Sequence, residues 1–202
     1  MSKKIIILTA LLTCTSLQAI DFKKACQDNN ATACYKYALP LTSGDNAKAQ
    51  DIMEEGMSYM RKACIMGEKR GCDKMGDQYY QNKNYATSMP YLVDSCARGI
   101  RNACESLGTI YRDGYDTNPD DVKSREYYEK ACTLKSGDAC YAVAIIYRGG
   151  FGVPKTRSKE KAFYKKACDS GLEAGCDRYT ELDNQDKGIE TGILATIKNW
   201  FK

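Results

Sequence analysis

Hydrophobic and polar positions follow the period of an α-helix along much of the chain. In the stretch 140–147, Cys-Tyr-Ala-Val-Ala-Ile-Ile-Tyr, apolar side chains recur at steps of three and four, which places them on one helix face. The stretch 163–168, Phe-Tyr-Lys-Lys-Ala-Cys, fits the end of a second helix. Segments at 112–120 and 148–156 contain Gly and Pro, and a short polar segment lies at 81–84; all three are typical of loops. The pattern predicts an all-α chain built from pairs of helices.

The helical pairs recur as five copies, each marked by two cysteines eight positions apart. The first cysteines of successive copies are separated by 38, 32, 36 and 36 residues, a period typical of helical-pair repeats. A small residue always precedes the second cysteine, and a C-x2-[L/M]-G-x2-Y pattern follows it most clearly in the second and third copies. A bulky apolar or aromatic residue stands four positions before each first cysteine. The cysteine pairs are Cys26 and Cys34, Cys64 and Cys72, Cys96 and Cys104, Cys132 and Cys140, and Cys168 and Cys176.

An even number of cysteines at one constant spacing is typical of a disulfide framework in an exported protein. Zinc sites usually use a C-x2–4-C spacing and redox-active pairs a C-x2-C spacing, so a metal site and a thiol oxidoreductase are the weaker alternatives. In each predicted helical pair the first cysteine falls in the last turn of one helix and the second in the first turn of the next. About seven residues make the turn between them, so the two sulfurs can meet. Each closed loop would stabilise the fold by about 2.5 kcal/mol.

The first 19 residues have the features of a secretory signal peptide. Lys3 and Lys4 precede a mostly apolar run at 5–12, which is too short to cross a membrane because a spanning helix needs about 20 residues. Cleavage is predicted after Ala19. It would remove the eleventh cysteine, Cys14, and would leave a periplasmic or extracellular protein with no integral membrane segment. A lipoprotein signal that ends at Cys14 is the alternative.

The five repeats are predicted to fill residues 20–188, and the last stretch, 189–202, is predicted to form an amphipathic helix. Its apolar side includes Ile193 and Trp200, and Lys198 lies on the other side. A solenoid needs a terminal element over its last exposed face, so this helix is expected to cap the array. A helix that binds a membrane surface or a partner is the alternative.

Charge and composition exclude several classes of function. The 202 residues carry a formal charge of +4, which becomes +2 after loss of the two signal-peptide lysines, and so small a charge argues against a nucleic-acid partner. The chain contains no histidine, which excludes a Ser-His-Asp triad, a Cys-His dyad, His-ligated zinc and haem held by a proximal histidine. We therefore expect no metal and no cofactor.

These motifs resemble the Sel-one-like repeat (SLR), a relative of the tetratricopeptide repeat. The resemblance lies in Lys-Ala-Cys, C-x7-C, C-x2-L-G-x2-Y and the Gly-Gly-Phe-Gly-Val loop at 149–153. One C-x7-C per repeat behind a signal peptide is similar to the Helicobacter cysteine-rich protein (Hcp) family of β-lactamases. Over residues 21–180 the resemblance implies a right-handed α/α superhelical solenoid with sequentially paired disulfides, penicillin binding and slow β-lactam hydrolysis. Two features depart from the pattern: Asp94-Ser95 in place of Lys-Ala, and Pro40 inside an expected helix.

The residues themselves do not name a catalytic nucleophile. Serine β-lactamases use S-x-x-K, S-D-N and K-T-G motifs, and only the first occurs, at residues 158–161. One such match is expected by chance, and Ser158 is better explained as a helix N-cap. The repeating tyrosines Tyr79, Tyr111 and Tyr147 are expected in the core between repeats. Catalysis would therefore use an unfamiliar site, such as a basic and aromatic groove that orients an anionic β-lactam.

Two classes of partner remain open at this point. The resemblance implies a β-lactam or a peptidoglycan-like small molecule. Physical reasoning favours a non-catalytic scaffold, because helical arrays present a long concave groove that suits a protein or peptide.

One modification site is predicted in the first repeat. Asn30 begins the sequence Asn-Ala-Thr, which fits the N-x-[ST] acceptor of N-glycosylation, and Asp28 completes the extended bacterial pattern. The motif lies in the turn between Cys26 and Cys34, so Asn30 should be exposed. An ordinary polar turn is the alternative.

Overall fold

The computed structural model describes residues 18–42 and 50–188. All regular secondary structure within these ranges is helical, so the predicted all-α fold is confirmed. The predicted signal peptide lies outside them except for its last two residues, and the predicted capping helix at 189–202 lies outside them entirely. No helix in the described ranges combines the length and the hydrophobicity that a membrane span requires.

Ten helices follow one another in the described residues, and they belong to two compact units, Met1–Tyr91 and Leu92–Lys202. We call these unit 1 and unit 2 and describe each by itself; the division falls within the fifth helix. The helices are α1 (18–27), α2 (Ala31–Leu41), α3 (Gln50–Ile65), α4 (Lys69–Gln81), α5 (Tyr85–Ala97), α6 (Arg101–Asp113), α7 (Asp121–Thr133), α8 (Gly137–Gly149), α9 (Arg157–Asp169) and α10 (Glu173–Asp186).

A disulfide closes each C-x7-C pair, so the predicted stapling of the helices is confirmed. The paired Cα atoms lie 4.4–4.8 Å apart. In every copy the first cysteine is the second-last residue of its helix, and the second cysteine is the fourth residue of the next. Only three residues lie between the two helices, fewer than the seven expected, because the first helix continues one residue past its cysteine and the second begins three residues before its cysteine. The disulfides join Cys26 to Cys34, Cys64 to Cys72, Cys96 to Cys104, Cys132 to Cys140 and Cys168 to Cys176.

The five loops share one backbone conformation. The amide of the middle residue donates to the carbonyl of the first cysteine, and the next amide donates to the carbonyl of the residue before that cysteine, at 2.8–3.1 Å. This is the hydrogen-bond pattern of a Schellman motif, which requires a left-handed residue. The middle residues accordingly all have positive φ; they are Asn29, Gly67, Gly99, Lys135 and Gly171.

Lys135 is the one residue with a long side chain at this left-handed position, where its φ is +67°. A Cβ atom in this region costs about 1–2 kcal/mol, and part of that is recovered by a glycine. We expect Lys135→Gly to raise the free energy of unfolding in urea by about 0.5–1 kcal/mol. Lys135→Ala is the control, because it removes the charge but keeps the Cβ atom. Equal stability of the two variants would show that the Cβ atom at position 135 causes no backbone strain.

The residue four positions before the first cysteine packs into the core in every copy, as the sequence pattern suggested. Four of these side chains are 0–5% exposed, and the fifth, Phe22, packs partly buried against the first cystine. Pro40, which departs from the repeat pattern, lies inside α2 one residue before the helix ends. The buried four are Met60, Leu92, Tyr128 and Tyr164.

Glu68 ties two neighbouring hairpins of unit 1 together. Its carboxylate, only 12% exposed, accepts hydrogen bonds from Arg70 Nε at 2.9 Å and from Thr32 Oγ1 in α2 at 2.9 Å. The Arg70 bond, against the opposing effect of burial, lowers the pKa of Glu68 to about 2.

Because its pKa is depressed in the folded state, Glu68 stabilises the fold above its unfolded pKa, and this stability is lost as the pH falls toward 2. We expect the wild type to lose about 1–2 kcal/mol relative to Glu68→Gln between pH 5 and pH 2. Urea unfolding of both proteins across this range measures the difference. A difference that does not change with pH would contradict the assignment.

Candidate functional site

A groove with a volume of about 480 Å³ opens between α7 and α9 in unit 2. We call it the α7–α9 groove. The C-terminal half of α7 forms one wall, α9 forms the other, and Tyr147 of α8 lies between them. Because Cys132 lines the groove and is bonded to Cys140, the disulfide of this hairpin is part of the wall. The other lining residues are Glu129, Thr133, Lys135, Lys159, Ala162, Phe163, Lys166, Asp169 and Ser170.

Two stacked rings, each covered by a lysine, lie in this groove. The rings of Tyr147 and Phe163 have centroids 5.7 Å apart and planes 14° apart. Lys159 Nζ lies 4.8 Å from the centroid of the Tyr147 ring, and Lys166 Nζ lies 4.6 Å from that of Phe163. These are cation–π distances. We call these four residues the second quartet.

The same arrangement occurs one repeat earlier, with every residue displaced by 36 positions. The rings of Tyr111 and Tyr127 have centroids 5.6 Å apart and are almost parallel, at 3°. Lys123 Nζ lies 5.0 Å from the first centroid, and Lys130 Nζ lies 5.3 Å from the second. We call these four residues the first quartet. Burial and the neighbouring Tyr111 raise the pKa of Tyr127, so its ring stays a neutral phenol.

The two carboxylates of the groove already have cationic partners. Glu129 accepts from Arg125 Nη1 at 3.0 Å and from the Tyr147 hydroxyl at 3.2 Å. Asp169 accepts from Lys165 Nζ with both oxygens, at 3.0 and 2.9 Å, which raises the pKa of Lys165. Burial is the largest single influence on Arg125 and lowers its pKa, but the hydrogen bond to Glu129 and the nearby negative charge together raise it, so the net change is upward. Neither carboxylate is therefore an unpaired negative charge.

Among the residues that the structure describes, the lysines of the groove have no carboxylate partner, unlike most of the positively charged side chains around them. In the described part of unit 2, the side chains of Arg98, Arg112 and Arg157 are among those that pair with carboxylates. By contrast, no described carboxylate lies within 4 Å of the ammonium group of Lys130, Lys135, Lys159 or Lys166. The groove therefore presents aromatic edges and uncompensated positive charge.

A second cavity, of about 290 Å³, lies between α7, α8 and the loop after α8. Ile145, Ile146 and the half-exposed ring of Phe151 form its apolar side. At its polar end, Arg112 Nη1 donates to the Tyr128 hydroxyl at 3.2 Å. This cavity is smaller and more apolar than the groove.

The tyrosines predicted for the core are only partly there. Tyr147 is 5% exposed, whereas Tyr79 and Tyr111 are only partly buried. All three stack on an aromatic ring of the following helix. The sequence interpretation missed those partner rings. They recur five positions before the first cysteine in four copies, a signal that was available; they are Tyr59, Tyr91, Tyr127 and Phe163.

The prediction for Ser158 was wrong. The N-cap of α9 is Thr156, and Ser158 is the exposed second residue of the helix. Lys161, the other member of its S-x-x-K motif, binds Asp183 at 3.0 Å and Asp186 at 2.6 Å, and these bonds raise its pKa. A lysine that acts as a base must lose its proton, so this arrangement opposes that role.

The predicted acceptor Asn30 is exposed at the N-cap of α2. Its Oδ1 accepts from the Ala33 amide at 2.9 Å, while the hydroxyl of Thr32 donates to Glu68. Glycosylation of Asn30 stays a prediction. No group of three or more potential metal ligands occurs in the described ranges.

Comparisons with known proteins agree with this architecture. The Sel1 repeat family model matches residues 31–68, 101–136 and 137–172, which together exceed half of the chain. No curated protein matches the chain in sequence.

Several solved structures are similar to this chain, and the first two below share its fold. A protective antigen of uropathogenic Escherichia coli with an SLR fold, c5321, is 18% identical with a TM-score of 0.65; the match covers 81% of this chain but only 36% of that one. A Sel1 repeat protein from Oxalobacter formigenes is 21% identical with a TM-score of 0.64, over 85% of this chain and 69% of that one. Helicobacter pylori cysteine rich protein B is 24% identical over 79% of this chain and 95% of that one, with a TM-score of 0.35. The disulfide-stapled helical hairpins and the extent of the family match lead to one conclusion: the chain belongs to the Sel1 repeat family.

Proposed function

We propose that this protein is an exported binding scaffold that holds a segment of a partner protein in the α7–α9 groove. The observation that carries the proposal is the groove itself, which lies within the volume range of ligand sites and presents rings and lysines. Stacked arrays of this kind commonly bind other proteins on an extended surface. Five disulfides indicate an oxidising compartment, which supports export.

The groove has properties of a preorganised site. Its walls are helices of hairpins that are each closed by a cystine, so little ordering is needed when a ligand binds. Aromatic side chains such as Phe163 supply much contact area with few rotatable bonds, which is why they are enriched at interfaces.

A peptide selection on the oxidised protein tests this proposal. Peptides selected from a random library should bind with micromolar Kd, and Ala162→Trp, which fills the groove, should weaken them at least tenfold. Ala174→Trp is the matched control, because Ala174 is an exposed helical residue outside the groove. Selected peptides that bind Ala162→Trp unchanged would place binding elsewhere, and a selection that yields no binder would refute the scaffold.

A β-lactam is the second candidate ligand, and the lysines of the groove are what favours it. Lys159 and Lys166 could orient the carboxylate of a penicillin beside the rings. Hydrolysis would also require a nucleophile, and the one S-x-x-K motif is opposed by the ion pairs of Lys161. We therefore place binding of β-lactams ahead of their hydrolysis.

Binding of a fluorescent penicillin and turnover of nitrocefin by the oxidised protein distinguish the two candidates. The scaffold proposal predicts no penicillin binding and no turnover above that of Ala162→Trp. Penicillin binding that is abolished by Ala162→Trp and kept by Ala174→Trp would establish a β-lactam as the ligand. Hydrolysis that is abolished by Ala162→Trp and kept by Ala174→Trp would establish the enzyme instead.

A further inference from the structure

The two quartets of unit 2 repeat the same chemistry at the same spacing. Each consists of two stacked rings with one lysine ammonium group over each ring. The surface between them is continuous, because Glu129 and Thr133 line both the α7–α9 groove and a neighbouring depression that includes Lys130. A ligand that runs along this surface can therefore contact both quartets.

We propose that the quartets select an extended, acidic segment of a partner protein, with one carboxylate group at each quartet. This proposal rests on the proposed function and specifies its partner. Charge complementarity carries it, because three of the four quartet lysines, Lys130, Lys159 and Lys166, lack carboxylate partners among the described residues although cations nearby are paired. The fourth, Lys123, pairs with Asp120 at 3.4 Å, so Lys130 supplies the unpaired charge of the first quartet. An ammonium group over a ring keeps its charge, while the ring displaces part of its water shell. Such a group is therefore positioned to bind an anion.

The spacing of the acidic residues follows from the repeat. The quartets lie on successive pairs of packed helices, whose axes are separated by at least about 8–10 Å. An extended polyproline-II segment has three residues per turn and advances about 3.1 Å per residue, so side chains three residues apart lie on the same side, about 9 Å apart. Glu or Asp at every third position of such a segment therefore presents carboxylates on one side at a spacing that fits successive quartets.

The carboxylates of this surface argue against a densely charged polyanion as its ligand. Glu126 and Glu129 lie between the two quartets on α7, and Asp169 lies at the end of the groove. A sulfated polysaccharide or a nucleic acid would bring negative charge against all three. A peptide with neutral residues between its carboxylates avoids this repulsion.

Two fluorescein-labelled decapeptides test the proposal by fluorescence anisotropy. One carries Glu at every third position with Gly and Ser between, and the other carries Gln in place of Glu. At 50 mM NaCl the Glu peptide should bind at least tenfold more tightly than the Gln peptide, and 300 mM NaCl should reduce this difference. Lys159→Gln/Lys166→Gln should weaken the Glu peptide at least fivefold, and Lys123→Gln/Lys130→Gln should weaken it similarly.

Two controls separate a local site from overall charge. Lys69→Gln/Lys155→Gln removes two exposed lysines outside the quartets and should change binding less than twofold. Lys159→Arg/Lys166→Arg keeps the charges and should keep binding. Equal loss in Lys69→Gln/Lys155→Gln would overturn the proposal, since overall charge would then explain binding.

The remaining outcomes distinguish this proposal from the one on which it rests. Equal binding of the two decapeptides would refute the preference for acidic segments but not the scaffold proposal. The same conclusion would follow if neither decapeptide bound while library-selected peptides did. If heparin binds through the quartets and the Glu peptide does not, the partner is a polyanion and the proposal is overturned. If neither decapeptide nor any library peptide binds, both proposals fail.

Discussion

Reduction of all five disulfides should lower the melting temperature by tens of degrees. Each disulfide closes a nine-residue loop, and the loss of chain entropy in the unfolded state gives about 2.5 kcal/mol for each. The five together rival the stability of a typical domain, about 5–15 kcal/mol. Thermal unfolding followed by circular dichroism, with and without reductant, measures the effect. An unchanged melting temperature in protein whose ten disulfide-bonded cysteines have all been reduced to thiols would contradict the role of the cystines.

Removal of one disulfide at a time separates the effect of the crosslink on stability from the effect of burying its sulfur atoms. Cys168 and Cys176 are only partly buried, so Cys168→Ala/Cys176→Ala leaves a smaller cavity than the same change at Cys132 and Cys140. We expect a loss of about 2–3 kcal/mol for this variant, and a larger loss for Cys132→Ala/Cys140→Ala. Similar losses for the two would indicate that burial contributes little.

Gly108→Val should destabilise the protein by about 3 kcal/mol. A Cβ atom built on Gly108 in α6 would lie 2.7–2.9 Å from three atoms of the Tyr128 ring, which is 5% exposed and held by Thr109 and Arg112. Overpacking of this kind costs about 1–3 kcal/mol, and a β-branched residue adds strain within a helix. Gly108→Ala should also destabilise, although alanine favours a helix over glycine by about 1 kcal/mol. Urea unfolding of the oxidised variants measures both changes.

A double-mutant cycle tests whether the Tyr128 ring causes the loss of stability in Gly108→Val. Leucine occupies the position of Tyr128 in the preceding copy, as Leu92, so Tyr128→Leu is a conservative change. Gly108→Val should cost at least about 1 kcal/mol less in the Tyr128→Leu background than in the wild type. A stabilising effect of Gly108→Ala, or additivity in the cycle, would show that the ring is not the obstacle.

The repeat fold was predictable from the sequence because its determinants are local. The helical period of apolar residues set the helices, and the constant cysteine spacing set the hairpins. The loops were predicted too long, as between Cys64 and Cys72 or between Cys96 and Cys104, since the sequence does not show how far a helix continues past its last apolar position. The left-handed position was obvious where it is glycine, as at Gly171, and hidden where it is Lys135.

The groove was less predictable than the fold. Its quartets depend on which rings of neighbouring helices stack, and attention to Tyr147 alone missed its partner Phe163. Whether a lysine is paired or free depends on contacts between helices, such as that of Lys161 with Asp183, which lie far apart in sequence. The sequence proposed a basic and aromatic groove, and the contacts between helices were needed to name its residues.

Peptide mapping of the oxidised protein under non-reducing conditions tests the central claim most directly. Cleavage with trypsin and an Asp- or Glu-specific protease separates the cysteine pairs, because each pair is flanked by cleavable residues. Sequential closure of the hairpins predicts links only from Cys26 to Cys34, Cys64 to Cys72, Cys96 to Cys104, Cys132 to Cys140 and Cys168 to Cys176. Links between cysteines of different pairs, or free thiols at these positions, would contradict it.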